Sequence, residues 1–280
     1  GAPSPDVAAL ARAARDELDD GSVFGQTFKD AEALTRYRAQ RAAGAGLEAQ
    51  DLITRLNILP DIPQVPLSKY GLGTSPEGAR LRQAFPDFLT DPFQAQAALA
   101  FLLLKYRISV AVTIGPDFNV KLGGASGILN PPLAFDFSHN DHRAGQAFMW
   151  ARITGIIDKL ATLLKAEPFD GSESLWDRTM IYVATDFGRT RTRPDNATAF
   201  GTGHDLNNGF LLVSPLVKGN TVLGGVDPAT TLTYGFDART GIADKGKQTS
   251  NEADIFAGVL TALGVDLSGS GLPDASAFRA

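Results

Sequence analysis

The chain has no cysteine among its 280 residues. Disulfides, thiolate zinc sites, iron–sulfur clusters and thiol nucleophiles are therefore excluded, although the cellular compartment is left open. An excess of one charge is also lacking. The 26 basic side chains stand against 31 acidic ones for a net charge of -5, with no basic stripe, so nucleic acid is not an expected partner. Long apolar runs are missing: the longest, residues 97–104, is far too short to cross a bilayer, so no membrane span is expected. No basic segment followed by an apolar one marks a signal peptide at the amino end. Histidine is scarce as well. There are three in all, and they fall in two short polar segments.

What is present is an ordinary globular composition, 44% hydrophobic and 20% charged, in a chain long enough to bury a substantial core. Residues 1–106 read as a helical region packed on a core. Ser4 with Pro5 and Ser75 with Pro76 are N-cap and first-position signals, opening helices that run to about Leu18 and Ala84. Apolar spacing of three and four predicts further helices over 29–43, 47–56 and 91–106, and the three prolines within 58–67 predict irregular chain.

Residues 107–280 read as an α/β core. The β-branched run 108–114, the segment 133–135, the run 179–185 and Phe210–Val213 predict strands. A long amphipathic helix is expected over 143–166, and a Thr249/Glu252 capping box opens a last helix to about Leu263. Strands alternating with helices predict a mostly parallel sheet flanked by helices.

The histidine segments are Phe135-Asp136-Phe137-Ser138-His139-Asn140-Asp141-His142 and Gly201-Thr202-Gly203-His204-Asp205, with Asp186-Phe187-Gly188-Arg189-Thr190 between them. In an open parallel sheet, ligands bind beyond the carboxyl ends of strands, which would bring Asp136, His139, Asp186 and His204 to one crevice. Carboxylates with imidazoles suit zinc, manganese or iron, and such an ion can polarise a phosphoryl or sulfuryl oxygen. Arg189, Arg191 and Arg193 follow on alternate positions, where a guanidinium could grip an anionic group bidentately. Each element also has a plainer reading, with Asp136 and Asp186 as turn formers and the arginines as a solvated face. The set together favours the metal.

In their order and spacing, Phe135–His139, the long helix, the 179–190 segment with Phe187-Gly188-Arg189-Thr190, and Gly201–His204 resemble the DUF1501 family over roughly residues 90–265. That family is grouped with the alkaline phosphatase and sulfatase superfamily. The resemblance implies an alkaline-phosphatase-like fold and metal-dependent hydrolysis of phosphate or sulfate esters. Asp136 and either His139 or His142 would be first-motif ligands. Asp186 stands where the family has glutamate, His204 would be a ligand, and Arg189 would orient the anionic group. Many members carry an export signal, which implies a periplasmic or secreted protein.

The chain departs from the family by one extra residue in the first motif and by the shorter carboxylate at Asp186. It also has no strand before Ile108 to deliver the superfamily's aspartate and nucleophile. A fragment, or a fold lacking its first strands, would explain the last departure. The alternative expectation is a non-catalytic exported binding or structural subunit with the same fold, whose partner is a protein rather than a small anionic ester.

Overall fold

The structure, a computed structural model, describes residues 4–44, 52–56, 75–89, 91–115, 134–185, 187–190, 193–207, 209–247 and 252–280. Its contacts divide the chain into two compact units, Gly1–Gly115 and Pro116–Ala280.

The first unit is helical because caps punctuate its sequence. The Ser4 hydroxyl accepts from Val7 N at 3.4 Å and opens α1, Pro5–Gly21. Ser22 ends that helix and caps α2, Val23–Thr27, by accepting from Gly25 N at 2.8 Å. Helix α3, Glu32–Ala43, is tied to α1 by Arg38–Asp19 at 3.0 Å and Arg38–Asp20 at 2.9 Å. A short α4, Leu52–Leu56, precedes α5, Pro76–Ala84, capped by Ser75, and α6, Pro92–Lys105, capped by Asp91. Leu81, Phe85, Phe93, Ala97 and Phe101 are buried. The ion pair Glu77–Lys105 joins α5 to α6.

The run 108–114 is not a strand. After α6 the chain takes a left-handed step at Arg107, φ 54°. Ile108 N and Ser109 N then both donate back to Leu103 O, at 2.9 and 3.3 Å. The Gln96 side chain bonds both Gly115 N and Gly115 O at 2.9 Å. Backbone groups that a sheet would need are thus engaged locally, and Val110 is fully exposed. Residues 58–67 lie outside the described residues, as do 47–51.

In the second unit the segment expected to be a strand before the histidines is a 3-10 turn, Ala134–His139, with Leu133 outside the described residues. Asn140 N and Asp141 N both donate to Phe137 O at 2.9 Å, the tight local bonding that short polar residues favour. Asp141 caps α7, His142–Lys165, accepting from Ala144 N at 3.1 Å. Met149, Ile153, Ile156, Leu160 and Leu164 form its buried stripe.

A hairpin of β1, Pro168–Asp170, and β2, Glu173–Ser174, follows. Next come β3, Ile181–Ala184, and a two-residue β4, Gly188–Arg189. Strands β5, His204–Asp205, and β6, Phe210–Val213, return beside them. A meander of β7, Gly225–Val226, β8, Thr233–Phe236, and β9, Ala243–Asp244, leads to helix α8, Glu252–Ala262. Phe236, Ala257 and Phe278 pack together in a second core, with Phe210 and Leu212 against it.

The expected parallel sheet is absent from the described residues. β3 pairs with β6 antiparallel, Ile181 opposite Val213 and Ala184 opposite Phe210, and β4 pairs with β5 in the same sense. Among the described residues 48% are helical and 12% are in strands. The reason lies in the connection. Parallel neighbours need a crossover, usually a helix, and the long helix α7 precedes both β3 and β6. Between them the chain runs out through β4 and back through β5, so it returns antiparallel. Neither the mostly parallel α/β sheet nor an alkaline-phosphatase-like fold describes this unit.

Candidate metal centre

The site is built where the 3-10 turn meets the β4–β5 pair. Arg189 lies opposite His204 in that pair, so a guanidinium and an imidazole start side by side. The 201–203 loop then crosses the turn. Thr202 N donates to Ser138 O at 2.8 Å, and His142 N donates to Phe200 O at 2.8 Å. Gly201 lies so close to His139 that a Cβ there would overlap its carbonyl oxygen and approach its carbonyl carbon to 2.8 Å. Glycine is therefore the residue this crossing accepts. Ser138 is fully buried beneath it, accepting from Gln146 Nε2 at 2.9 Å, and Gln146 in turn accepts from Trp150 Nε1 at 3.1 Å.

One ligand atom each from Asp136, His139 and His204 lies within 4.8 Å of the other two. His139 Nε2 and His204 Nε2 are 3.2 Å apart, and His139 Nε2 is 4.0 Å from Asp136 Oδ1. Two nitrogens about 2.0–2.1 Å from a tetrahedral ion sit roughly 3.3 Å from each other, so the imidazole pair already has the required spacing. Asp136 is 51% exposed, which leaves its carboxylate room to turn inward. One oxygen and two nitrogens form a donor set suited to zinc, manganese or iron, and three protein ligands leave a position open for substrate. The residues fit such an ion.

Arg189 sets the electrostatics. Its Nη1 is 3.0 Å from His139 Nε2, its Nη2 donates to Phe135 O at 3.0 Å and lies 3.7 Å from Asp136 Oδ1, and its side chain is only 10% exposed. A guanidinium can only donate, so His139 Nε2 is the acceptor of that bond. Comparison with protein-family models, with curated proteins and with solved structures found no match.

The structure brings together Asp136, His139, His204 and Arg189 of the residues singled out by sequence. It does not bring His142 to them. That imidazole bonds Thr202 Oγ1 through Nδ1 at 3.0 Å and stacks on Phe200 with ring centroids 5.7 Å apart. Burial lowers the His142 pKa, the nearby Arg189 charge lowers it further, and Asp141 opposes both. Asp186 and Arg191 lie outside the described residues. Arg193 turns to its own loop, its Nε donating to Ala197 O at 2.9 Å.

Two contributors escaped the sequence reading. Phe187 stacks on His204 at 3.8 Å between centroids, 25° between planes, and fixes that imidazole's orientation. Thr202 is buried and joins the turn to the loop. Phe187 adjoins Gly188-Arg189, which hints at a role but not at its partner. For Thr202 nothing short of the fold points to the contact.

Proposed function

We propose that the second unit carries a divalent-metal centre that hydrolyses an anionic ester, a phosphate or sulfate. The observation that supports this most directly is the convergence of Asp136, His139 and His204 beside a nearly buried guanidinium. Asp136, His139 and His204 hold the ion. A bound zinc, manganese or iron ion supplies Lewis acidity at the ester oxygen. Arg189 donates to the anionic group and positions it, and its contacts with Phe135 O and the Phe187 ring hold the guanidinium in place. The motif order shared with the DUF1501 family supports the same chemistry and supports an exported, periplasmic or secreted, protein.

One observation favours a second reading. Arg189 Nη1 donates to the same His139 nitrogen that an ion needs, so the guanidinium can stand in for a cation. The chain would then be a non-catalytic binding or structural subunit acting through a protein partner.

Metal content by elemental mass spectrometry, together with turnover of aryl phosphate and aryl sulfate, separates the two. The hydrolase reading expects near-stoichiometric zinc, manganese or iron in wild type, its loss in His204→Ala, and turnover that follows the metal. Absence of bound ion after soaking with each candidate, with no turnover, refutes it.

A further inference from the structure

A cavity of about 600 Å³ opens among β3, β6, β7, β8, the first turn of α8 and the 3-10 turn Ser276–Phe278, within the size range of small-molecule sites. Five of its lining residues are aromatic: Tyr182, Phe210, Tyr234, Phe236 and Phe278. The ring pair Tyr182–Phe210 is edge-on at 6.3 Å, and Phe210 and Phe278 lie nearly parallel at 6.3 Å. Gly225 provides space for the Tyr234 ring, which a Cβ there would strike. None of these residues serves the metal centre.

Two stretches of chain join the lining of this cavity to the residues of that centre. Leu206, which lines it, follows His204 by two residues, so their backbones lie within about 7 Å. Ala184 and Thr185 line it and lead within a few residues to Phe187 and Arg189. The link is braced: Asp205 Oδ1 accepts from Asn207 N at 3.1 Å, and Asn207 Oδ1 accepts from the lining residue Thr233, at 3.0 Å from N and 2.9 Å from Oγ1.

Resting on the metal-centre reading, we infer that this cavity holds the alcohol part of the ester, and that this part is aromatic. An anionic head at Arg189 and the Asp136/His139/His204 triad then directs its tail past Leu206 into a pocket walled by rings, where planar groups pack face-on or edge-on. The substrate class is an aryl phosphate or sulfate monoester rather than a small polar one.

The test is calorimetric titration of the manganese-loaded full chain with two non-hydrolysable probes of the same head group, methylphosphonate and naphthylmethylphosphonate. The naphthyl probe is expected to bind at least about tenfold more tightly, the gain from burying one aromatic ring system. Gly209→Trp should bring that ratio close to one while methylphosphonate affinity stays unchanged. Gly209 lines the cavity and a Cβ on it meets nothing within 4 Å, so the variant fills space without displacing backbone. Val222→Ser, at an 85% exposed rim position, should reduce the ratio without risk to folding.

A wild-type ratio near one with methylphosphonate bound, or a ratio that neither variant changes, overturns the tail site and leaves the metal centre intact. Failure of methylphosphonate to bind metal-loaded wild type sinks the metal-centre reading and this inference with it.

Discussion

Gly201→Ala should damage the site and the fold together, by a predictable amount. The added Cβ lies 2.8 Å from the His139 carbonyl carbon and overlaps its oxygen. Carbon atoms in contact sit about 3.5–4.0 Å apart, so the loop and the turn must separate by roughly 1 Å. The obstacle is backbone on both sides, so no side-chain rotation relieves it. The neighbouring bond from Thr202 N to Ser138 O, 2.8 Å long, does not survive such a retreat. Ser138 and Thr202 are both buried, and leaving one buried polar group unpaired costs about 1–3 kcal/mol. We therefore expect a loss of about 2–3 kcal/mol in urea-induced unfolding. Metal affinity should fall in parallel, because the turn that moves carries His139. Gly155→Ala is the matched control. It lies within α7, where a Cβ meets nothing within 4 Å, so it should gain up to about 1 kcal/mol from helix propensity. If Gly201→Ala unfolds within about 0.5 kcal/mol of wild type and binds metal as tightly, the crossing of loop over turn is not the feature that builds the site.

Two further perturbations probe the same turn. The folded chain holds the His142 pKa below its ordinary 6.5, chiefly through burial and then through Arg189. The unfolded chain therefore binds that proton more readily, so this contribution is complete above the unfolded pKa and is lost as pH falls through it, levelling off below the folded value. Urea midpoints measured across this range should fall on the acid side, and His142→Asn should flatten the slope; an unchanged slope rejects the assignment. Asp141→Ala removes the acceptor for Ala144 N and should cost about 1 kcal/mol, with Asp141→Asn retaining most of it. Equal thermal midpoints for Asp141→Ala and wild type would show that the cap is not formed.

The helices were readable because their signals are local. Ser4 with Pro5, Ser75 with Pro76 and the apolar stripe from Met149 to Leu164 each act within a turn or two of chain, and the structure places α1, α5 and α7 on them. Strand direction is a different kind of information. Ile181–Ala184 and Phe210–Val213 present the same β-branched and apolar side chains whether their partner runs parallel or antiparallel. The connection decides, and it had a visible sign: residues 185–209 carry no helical periodicity, so they offer no crossover.

The run at 108–114 misled for a related reason. β-branching favours extended chain, but a strand exists only where another strand meets it, and here Leu103 O and Gln96 take the backbone groups first. The metal candidates were legible because histidine is scarce enough for its positions to carry weight. Which histidine faces the site was not. His139 and His142 differ in the sequence by three positions, but Asp141 begins a helix between them, leaving one imidazole on the turn beside Arg189 and directing the other onto Thr202. The cap that orients α7 therefore also decides which imidazole joins Asp136 and His204.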